Sequence, residues 1–438
     1  MKFFLALLFA PLVAAFPAEE FFPNPQAEPT PTKHWGLLVA GSNTWDNYRH
    51  QADICHAYQI LHKNGIPDSN IVVMMYDDIA YNEMNPNQGI IINRPNGPDV
   101  YHGVLKDYTK TEVNPKNFLN ILSGNKTAMK GIGSGKVINS GPDDHVFVYF
   151  ADHGATNLIA FRDDVLYAKN LIRTLKKMHK EKKYQKLVFY LEACESGSMF
   201  LKLPTDINIF ATTAAGPDTS SYACYYDEKL GTYLGDVYSV KWMEDSDKED
   251  LTKETLEQQF MIVKKETNTS VVHQYGDLKF DQETLINYQG NGGQRSVPGK
   301  PFPPAPLDAI DSRDVCLDVL VRRLECETDP VQKRKLMKEV ADLADKQSFV
   351  HDMMYNLACK MTDGDSAMAD MVLNTRGRAV VNWDCFTEAV QTFSDMCFKM
   401  TELPYAWGQI HVLANLCDLT DCKTTDITAA LKLGCSMK

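Results

Sequence analysis

Two apolar runs in this sequence end close to side chains that could do nucleophilic chemistry. The run 146–150 leads to His153, and the run 187–191 leads to Cys194. Because parallel strands bring their carboxyl ends to one edge of a sheet, we expect the imidazole and the thiol to lie together there. A buried cysteine or a strand-end histidine is usually structural by itself. The two together favour a cysteine nucleophile with a histidine partner.

The elements that must position this pair follow an alternating pattern. Apolar runs and helix-length polar segments succeed one another along the chain, at 37–40, 51–63, 71–75, 146–150, 164–183, 187–191 and 207–211. Such alternation predicts an α/β fold with a mainly parallel sheet that is covered by helices on both faces. The loop from Tyr81 to Pro115 is too long for a simple connector, so we expect it to wall a substrate cleft.

A stretch rich in Pro and Gly, 290–306, predicts an exposed linker that divides the chain. Beyond it, 314–326 and 330–346 have helical periodicity. Eight of the 11 cysteines also follow the linker, so disulfides are expected in this last part. We therefore predict the organisation of a zymogen, with a catalytic domain at 31–289, an activation linker at 290–314 and an all-α, disulfide-stapled domain at 315–438.

The N-terminus has the features of a secretory signal. Lys2 precedes an apolar stretch that ends in small residues near Ala15, which predicts a signal peptide at 1–15 and a propeptide at 16–30. Asn125 and Asn268 begin glycosylation sequons, as expected on that route. No later run approaches the ~20 apolar residues of a membrane-spanning helix, so we expect no membrane span.

Charge and cysteine spacing exclude other classes of function. Acidic residues outnumber basic residues 57 to 45, and the net charge is −12. Nucleic acids and anionic membranes bind clustered Lys and Arg, so we expect no nucleic-acid partner. The sequence has no Cys-x-x-Cys pair and no histidine pairs at zinc-finger spacing. We therefore expect no metal and no cofactor.

Several long motifs resemble one family of proteases. They lie at 33–35, 39–43, 47–53, 74–78, 152–154, 192–198, 220–227 and 233–236. Over essentially the whole chain these motifs resemble the legumains, the asparaginyl endopeptidases of the caspase-like clan. Cys194 also lies in a pattern close to the caspase signature, with His153 41 residues upstream where that signature has about 50.

The resemblance implies a caspase-like sheet followed by a death-domain-like helical prodomain that docks over the active site. The implied activity is a cysteine endopeptidase that cleaves after asparagine, and after aspartate at acid pH, and is made as an autoinhibited, self-activating zymogen. The implied partners are protein and peptide substrates, the chain's own prodomain as inhibitor, and cystatin-type inhibitors. The implied location is the secretory pathway, ending in the lysosome or endolysosome, the gut lumen or the extracellular space.

The resemblance also implies the roles of the catalytic residues. Cys194 is the nucleophile, His153 is its partner, and Asn47 orients the imidazole ring. The backbone N–H groups of Gly154 and Cys194 are expected to stabilise the oxyanion if the two strand ends converge. By the same resemblance, Asp152 is a succinimide candidate tied to peptide ligation. Its sequence position is equally consistent with a carboxylate that tunes His153 or caps a turn.

Specificity, by resemblance, resides in an S1 pocket that is lined by Arg49, Glu192 and Asp236, with His50, Ser220 and Ser221 close by. An asparagine side chain offers one acceptor and two donors, so a cation beside carboxylates can satisfy both ends. A buried carboxylate at position 192 is costly unless a partner such as Arg49 is supplied, which favours a functional role for both.

The remaining implications concern the C-terminal domain. The resemblance pairs Cys385 with Cys417 and Cys397 with Cys435, and leaves open the pairing of Cys316, Cys326, Cys359 and Cys422. Asp308, Asp311 and Asp314 follow the Pro-rich stretch and are the candidate sites of activation cleavage. Two alternatives stay open: a peptide ligase or transpeptidase that uses the same acyl-enzyme, and a non-catalytic protein that binds peptides or inhibitors.

Overall fold

The computed structural model describes residues 32–162, 164–291, 303, 305–399 and 402–436. The predicted signal peptide, the predicted propeptide and most of the Pro-rich stretch lie outside the described residues. The chain from Lys33 onward forms one compact unit. The predicted catalytic and C-terminal domains therefore pack against each other.

Strands and helices follow the predicted order. The described strands are β1 His34–Ala40, β2 Ile71–Met74, β3 His145–Ala151, β4 Gly154–Ala155, β5 Leu158–Phe161, β6 Asp164–Tyr167, β7 Lys186–Glu192, β8 Ile209–Thr213, β9 Tyr222–Asp227, β10 Thr232–Asp236, β11 His273–Gly276 and β12 Ile310–Asp311. The described helices are α1 Tyr48–Lys63, α2 Pro115–Leu122, α3 Ala168–Lys180, α4 Val237–Lys248, α5 Leu256–Glu266, α6 Ile286–Gln289, α7 Val315–Cys326, α8 Pro330–Met361, α9 Ser366–Asn374, α10 Trp383–Met396, α11 Ile410–Leu419 and α12 Thr424–Cys435.

A six-stranded sheet in the order β11-β8-β7-β3-β1-β2 forms the centre of the catalytic domain. Its strand pairs are parallel except for β11 with β8. Every residue of β3 is buried, as expected of a strand that is covered on both faces. Phe147 packs in one core cluster with α1, α4 and α5, and Val148 packs in the other with α2 and α3. The predicted α/β class with a mainly parallel sheet is confirmed.

One predicted helix begins later than expected. The segment 164–183 was predicted as a single helix, but 164–167 forms β6, which pairs with β5, and α3 begins at Ala168. The side chains of this short strand have a period of two. Leu166 joins the core of the catalytic domain, whereas Val165 and Tyr167 pack against the C-terminal helices. Successive side chains thus face the catalytic core and the C-terminal helices in turn, a period of two that favours a strand here.

Two small sheets flank the nucleophile edge of the large sheet, with the orders β4-β5-β6 and β10-β9-β12. The third strand of the second sheet, β12, comes from the predicted linker and runs antiparallel to β9. Ile310 and Asp311 lie beyond the stretch 290–306 that was predicted to be exposed, and they satisfy the backbone groups of an otherwise free strand edge.

The C-terminal part is helical, as predicted, and is closed by two disulfides. Cys385 is bonded to Cys417, with 5.7 Å between their Cα atoms, and Cys397 is bonded to Cys435, with 5.0 Å. Cysteines at 316, 326, 359 and 422 are free thiols. The core of this helical domain includes Leu158 of the catalytic domain, so the two domains share apolar surface.

Two further sequence expectations concern the exterior. Asn125 follows α2 and Asn268 follows α5, and both side chains are exposed where a glycan could attach. Among the described helices, none combines the length and the apolar character that crossing a membrane requires.

Candidate active site

Strand pairing brings the predicted nucleophile and its histidine to the same sheet edge. Ala151 of β3 pairs with Glu192 of β7, and His153 and Cys194 each lie two residues beyond this pair. The Gly154 main chain packs so closely on the Cys194 carbonyl that an added Cβ would lie 2.3 Å from that oxygen. A glycine is therefore required where the two strand ends meet.

Asn47 fixes the orientation of the catalytic imidazole. Its Nδ2 donates to the carbonyl of Asn43 (3.0 Å), which turns its Oδ1 toward His153. His153 Nε2 lies 2.8 Å from that oxygen and donates to it, because an amide oxygen can only accept. The tautomer assigned from these contacts leaves the lone pair on Nδ1. The ring is thus held by a third polar group, as a cysteine–histidine pair requires.

Both members of the pair are uncharged in this closed form. Burial lowers the pKa of His153 well below its ordinary value, and the cations of Arg49 and Arg313 lower it further. Burial likewise raises the pKa of the Cys194 thiol, although the Arg313 guanidinium opposes this shift. The thiol accepts a hydrogen bond from the backbone N–H of Ser221 (3.3 Å) and is 1% exposed. A neutral, covered thiol is a poor nucleophile.

Arg49 lies at the centre of the buried charged cluster that was predicted to line the S1 pocket. It is completely buried on α1, and its Nε donates to Asp236 Oδ1 at 2.9 Å. Its Nη1 donates to the backbone carbonyl of Asp46 at 3.0 Å. Glu192, at the end of β7, accepts from the N–H and the hydroxyl of Ser239 through its Oε2. The pocket therefore joins α1, β7, β10 and the start of α4.

Among the described residues, several buried polar atoms of the predicted pocket lack a hydrogen-bond partner, and they include a donor and an acceptor. Within the part of the chain that the structure describes, neither Arg49 Nη2 nor Glu192 Oε1 makes a hydrogen bond, although both are buried. An unpaired donor and an unpaired acceptor are costly in a protein interior and call for an explanation. Together they complement the carbonyl oxygen and the amino group of a carboxamide side chain.

Burial and neighbouring charges raise the pKa values of the pocket carboxyl groups above their ordinary values. Burial raises the pKa of Glu192 well above its ordinary value, and the charge of Asp236 adds to this shift. Burial also raises the pKa of Asp236, against the opposing effect of Arg49. Asp53 lies behind them, and its pKa is raised by burial and by Asp236. This third carboxyl group was absent from the sequence-based prediction.

His50, Ser221 and Ser220, which were predicted to lie close to the pocket, each have a polar neighbour in this region. His50 Nδ1 is 2.6 Å from Ser42 Oγ, and its Nε2 is 3.6 Å from Asp236. Ser221 Oγ is 3.7 Å from the Cys194 thiol. Ser220 Oγ accepts from Arg313 Nη1 at 3.1 Å. All three contact the pocket, the nucleophile or the segment that covers them.

Asp152 is buried directly before the catalytic histidine. Its Oδ1 accepts from the backbone N–H of His153 at 2.7 Å, and its Oδ2 has no hydrogen-bond partner among the described residues. Burial raises its pKa well above the ordinary value. A protonated carboxyl group therefore lies against the backbone nitrogen that a succinimide ring would include.

The linker segment 310–313 covers the site. Ile310 and Asp311 pair with Ala223 and Tyr222 of β9. The next residue, Ser312, donates its backbone N–H to the carbonyl of Ser221 at 3.0 Å. The Ser312 hydroxyl lies 3.4 Å from Ser221 Oγ and also interacts with the Asp236 carboxylate. Ser312 thus lies over the predicted S1 pocket, next to Ser221 and Asp236.

Two arginines hold this covering segment and the helical domain on the active site. Arg313 Nη2 donates to Glu195 Oε1 at 2.8 Å and to the carbonyl of Gly154 at 3.2 Å. Arg376, which precedes α10 in the helical domain, lies 4.0 Å from the same Glu195 oxygen. Because Glu195 directly follows Cys194, one carboxylate connects both arginines to the nucleophile loop.

Sequence reasoning missed these covering residues. Asp308, Asp311 and Asp314 were predicted as cleavage sites, yet the residue at the pocket mouth is Ser312. Glu195 stood inside the nucleophile motif, where a charged residue next to a cysteine was a usable signal. Nothing in the sequence connects Arg376 to Glu195, because their contact depends on how the two domains dock.

One cluster among the described residues has the atoms of a metal site. His50, Asp152 and His153 place possible ligand atoms within 4.8 Å of one another. Each histidine already has one ring nitrogen engaged, by Ser42 and by Asn47. Arg49 lies beside both rings, where its charge opposes a cation. We assign the cluster to catalysis rather than to metal binding.

A thiol and an oriented imidazole at neighbouring ends of parallel strands, next to a buried charged cluster, are the arrangement of a cysteine endopeptidase. The sequence matches the Peptidase C13 family over residues 34–291 and the legumain prodomain family over residues 335–435. The chain belongs to the Peptidase C13 family and is a cysteine endopeptidase of the legumain type, made with a prodomain.

Individual relatives are similar over most of the chain. The sequence is 51% identical to legumain of Mus musculus over 388 residues, which cover 88% of this chain and 89% of the relative. It is 42% identical to the vacuolar-processing enzyme delta-isozyme of Arabidopsis thaliana over 431 residues, 92% of this chain and 90% of the relative. Caspase-1 of Spodoptera frugiperda superposes with a TM-score of 0.36 at 11% identity, covering 65% of this chain and 100% of its own.

Proposed function

We propose that this enzyme cleaves polypeptides on the carboxyl side of asparagine. The observation that carries the proposal is that the buried donor Arg49 Nη2 and the buried acceptor Glu192 Oε1 both lack a hydrogen-bond partner among the described residues. Arg49 Nη2 donates to the carbonyl oxygen of the asparagine side chain, and Glu192 Oε1 accepts from its amino group. A side chain without these groups leaves both buried atoms unsatisfied, and this penalty is the basis of selectivity.

The same pocket accepts aspartate when acid neutralises the carboxyl group. A protonated carboxyl group has one acceptor and one donor, as the carboxamide does, whereas a carboxylate has no donor for Glu192 Oε1. Cleavage after aspartate is therefore expected at acid pH and lost toward neutral pH. Cleavage after asparagine does not depend on this protonation of the substrate.

Catalysis uses the pair at the strand ends. His153 Nδ1 takes the proton of the Cys194 thiol, and the thiolate attacks the scissile carbonyl. The imidazolium then gives this proton to the departing amine, which leaves a thioester on Cys194. His153 next removes a proton from water, and the resulting hydroxide attacks the thioester and releases the acid. The backbone N–H groups of Gly154 and Cys194 are assigned to the oxyanion in both steps.

The covering segment makes the chain its own inhibitor until acid releases it. Segment 310–313 follows the path of a substrate, but Ser312 is too short to reach the carboxamide-binding atoms of the pocket. Glu195 holds Arg313 and lies near Arg376. Acid also allows cleavage after aspartate, so Asp308, Asp311 or Asp314 of the linker can be cut under acid conditions. We therefore place activation in an acidic compartment of the secretory pathway. The predicted partners there are protein substrates and cystatin-type inhibitors.

Peptide ligation is a second candidate activity, favoured by Asp152. Its carboxyl carbon can be attacked by the backbone nitrogen of His153, which forms the ring N–C bond and expels one water molecule. The His153 N–H donates to Asp152 Oδ1 at 2.7 Å, which supports this assignment. An amine that replaces water as the attacker of the thioester gives a new peptide bond instead of hydrolysis.

Matched fluorogenic peptides test the proposal directly. After acid activation, peptides that differ only in asparagine, aspartate, glutamine or alanine before the scissile bond are compared for kcat/KM at acid and neutral pH. We expect cleavage of the asparagine peptide at both pH values and of the aspartate peptide only at acid pH. Equal cleavage of the alanine peptide would exclude the proposed pocket chemistry. Products formed with an added amine nucleophile measure the ligase activity.

A further inference from the structure

The covering segment continues along the catalytic domain well beyond the S1 pocket. Upstream of Ser312, Ile310 pairs with Ala223 on β9. Leu307 then accepts a hydrogen bond from the backbone N–H of Tyr225 at 2.6 Å. Leu307 and Ala305 also pack on the hydrophobic core of the catalytic domain. The chain therefore has specific contacts for several residues on the amino-terminal side of the pocket.

This path ends at a separate polar cavity. Arg94 Nη2 donates to the carbonyl of Pro303 at 2.5 Å, nine residues before Ser312. Beside it lies a cavity of about 430 Å³, whose lining includes His56, Gln59, Lys63, Asn93, Arg94 and Glu244. Arg94 and Asn93 belong to the long loop that was expected to wall a substrate cleft.

The Arg94 side chain is held rigidly in place. Its Nη1 pairs with Glu244 Oε1 at 2.8 Å, and its guanidinium lies over the Tyr225 ring at 5.7 Å. Tyr225 in turn donates its hydroxyl to Glu244 at 2.9 Å. Tyr225 also has a φ of +62°, a rare conformation for a tyrosine, and the β9–β10 pairing skips it. Strain of this kind is kept where surrounding structure enforces it, often at ligand sites.

We propose that substrates follow the same path, and that Arg94 binds a backbone carbonyl of the substrate about nine residues before the scissile asparagine. This inference rests on the proposed function. The covering segment enters along β9, passes Ser312 over the pocket and reaches Cys194 and Gly154 at Arg313, so its direction is that of a substrate. A cleavable chain must displace β12 and pair with the same edge of β9.

The contacts define the class of substrate. Tyr225 and Arg94 bind main-chain carbonyls, so recognition at this distance depends on an extended backbone and not on particular side chains. Asp308 has a φ of +45°, a conformation that Gly, Asn and Asp adopt most readily. The preferred substrates are therefore long unfolded segments with a small bend-forming residue four positions before the asparagine, in contrast to short peptides.

Two peptides test this inference on the acid-activated enzyme. The long peptide copies residues 303–311 and carries asparagine at the position of Ser312, and the short peptide copies 308–311 before the same asparagine. Both end in the same residues after the asparagine. We expect the kcat/KM of the long peptide to be about tenfold higher, mainly through a lower KM, as a charge-assisted hydrogen bond and added contacts provide.

Two variants distinguish the contact of Arg94 with the substrate carbonyl from a general effect of positive charge in the cavity. Arg94→Gln is expected to lower the ratio of the two kcat/KM values, leaving only the part that the contacts of Leu307 and Ala305 provide. Lys63→Gln removes a charge from the same cavity without touching Pro303, and is expected to preserve the ratio. If Arg94→Gln proves poorly folded, Arg94→Lys, which keeps the charge and loses the planar fork, is expected to reduce the ratio in part.

The outcomes distinguish this inference from the proposed function. Equal kcat/KM values for the two peptides with the wild-type enzyme overturn the distal site while leaving cleavage after asparagine intact. A length effect that Arg94→Gln does not change overturns the role of Arg94. Cleavage of neither peptide overturns the proposed function and this inference with it.

Discussion

Single side chains set the protonation state of this active site through burial. His153 is neutral because burial and the nearby arginines oppose its positive charge, and Cys194 is neutral because burial opposes its negative charge. Arg313 acts on both shifts, lowering each pKa. Removal of the covering segment opens the site to water, which lowers the cost of the thiolate and the imidazolium. The resting pair becomes a reactive one without any change in the catalytic residues.

The nucleophile assignment predicts a sharp loss of activity. Cys194→Ala is expected to abolish both peptide cleavage and self-processing, because no other thiol in the described part of the chain lies beside an imidazole at this edge. The variant should remain folded, since a small side chain replaces a small thiol. Activity assays and thermal unfolding of the purified protein check both points. Residual self-processing by the purified variant would contradict the assignment.

The pocket assignment predicts a loss of activity on substrates that place their side chain in this pocket. Arg49→Ala and Asp236→Ala each remove one partner of a buried ion pair and should cost ~2–4 kcal/mol of transition-state stabilisation. The reduction in kcat/KM is therefore expected to be between about 30-fold and 1000-fold. Thermal unfolding measured beside it serves as the folding control. A kcat/KM within a few-fold of wild type would show that these residues do not bind the substrate side chain.

Strands, rather than helices, decide where substrate and inhibitor bind. The large sheet delivers Cys194 and His153 to one edge, and β9 offers its own edge to whichever chain pairs with it. β12 occupies that edge in the proenzyme, with serine in the position of the residue to be cleaved after. Inhibition and substrate binding thus use one set of backbone hydrogen bonds, and residue 312 decides between them.

Exchange of this one residue should convert the inhibitor into a substrate. Ser312→Asn places a carboxamide over Arg49 and Glu192, so the bond between residues 312 and 313 is expected to be cut and activation to become faster. Ser312→Ala, the matched control, keeps the small side chain and should remain uncut at this bond. Mass spectrometry of the processed chains identifies the new termini. An intact bond in the Ser312→Asn variant would contradict the substrate-like placement of this segment.

Most strands and helices could be predicted from the sequence, whereas the contacts between the helical domain and the catalytic domain could not. Strand-end positions of His153 and Cys194 follow from two apolar runs, which is why the core of the site could be foreseen. The pocket residues Arg49, Glu192 and Asp236 were predicted by resemblance, from the long motifs in which they lie. Ser312 and Arg376 could not be foreseen, because a serine in a linker and an arginine between two helices acquire their roles only when domains pack. Strand β6 was missed because four residues are too few for periodicity to identify.

The stability of the whole molecule depends on pH through buried groups whose pKa values are shifted in opposite directions. Glu192 and Asp152 have folded-state pKa values above their ordinary values, so the folded chain holds protons that the unfolded chain releases as pH rises. Their contribution to stability is present at acid pH and is lost as pH rises through the folded-state pKa. His50 and His153, whose pKa values are lowered, act oppositely below the ordinary histidine pKa of about 6.5.

Stability is therefore expected to fall as pH rises above that value, where both imidazoles are neutral in either state. Full-length Cys194→Ala protein should lose free energy of unfolding toward alkaline pH, by up to ~1.4 kcal/mol per pH unit for each carboxyl group. Adding Glu192→Gln, which mimics the protonated group, should flatten this decline. Urea unfolding at a series of pH values measures it. Identical pH profiles for the two proteins would exclude Glu192 as a source of the decline.

Domain docking gives a second pH effect, on activation. Arg376→Gln removes one cation from the Glu195 contact, so the proenzyme is expected to activate at a higher pH than wild type. Arg378→Gln removes an exposed charge two residues away and serves as the control. The fraction of processed chain after incubation at each pH gives the midpoint. If the Arg376→Gln midpoint matches that of the control, Arg376 does not hold the prodomain in place.

Cleavage specificity on a mixture of natural peptides tests the central claim most directly. The acid-activated enzyme is incubated with a peptide library of known sequences, and mass spectrometry reads the residue before each new terminus. The enzyme is predicted to cut after asparagine at both acid and neutral pH, to add aspartate only under acid conditions, and to lose all cuts in the Cys194→Ala variant. New termini spread over other residues, or cuts that persist in that variant, would contradict the account.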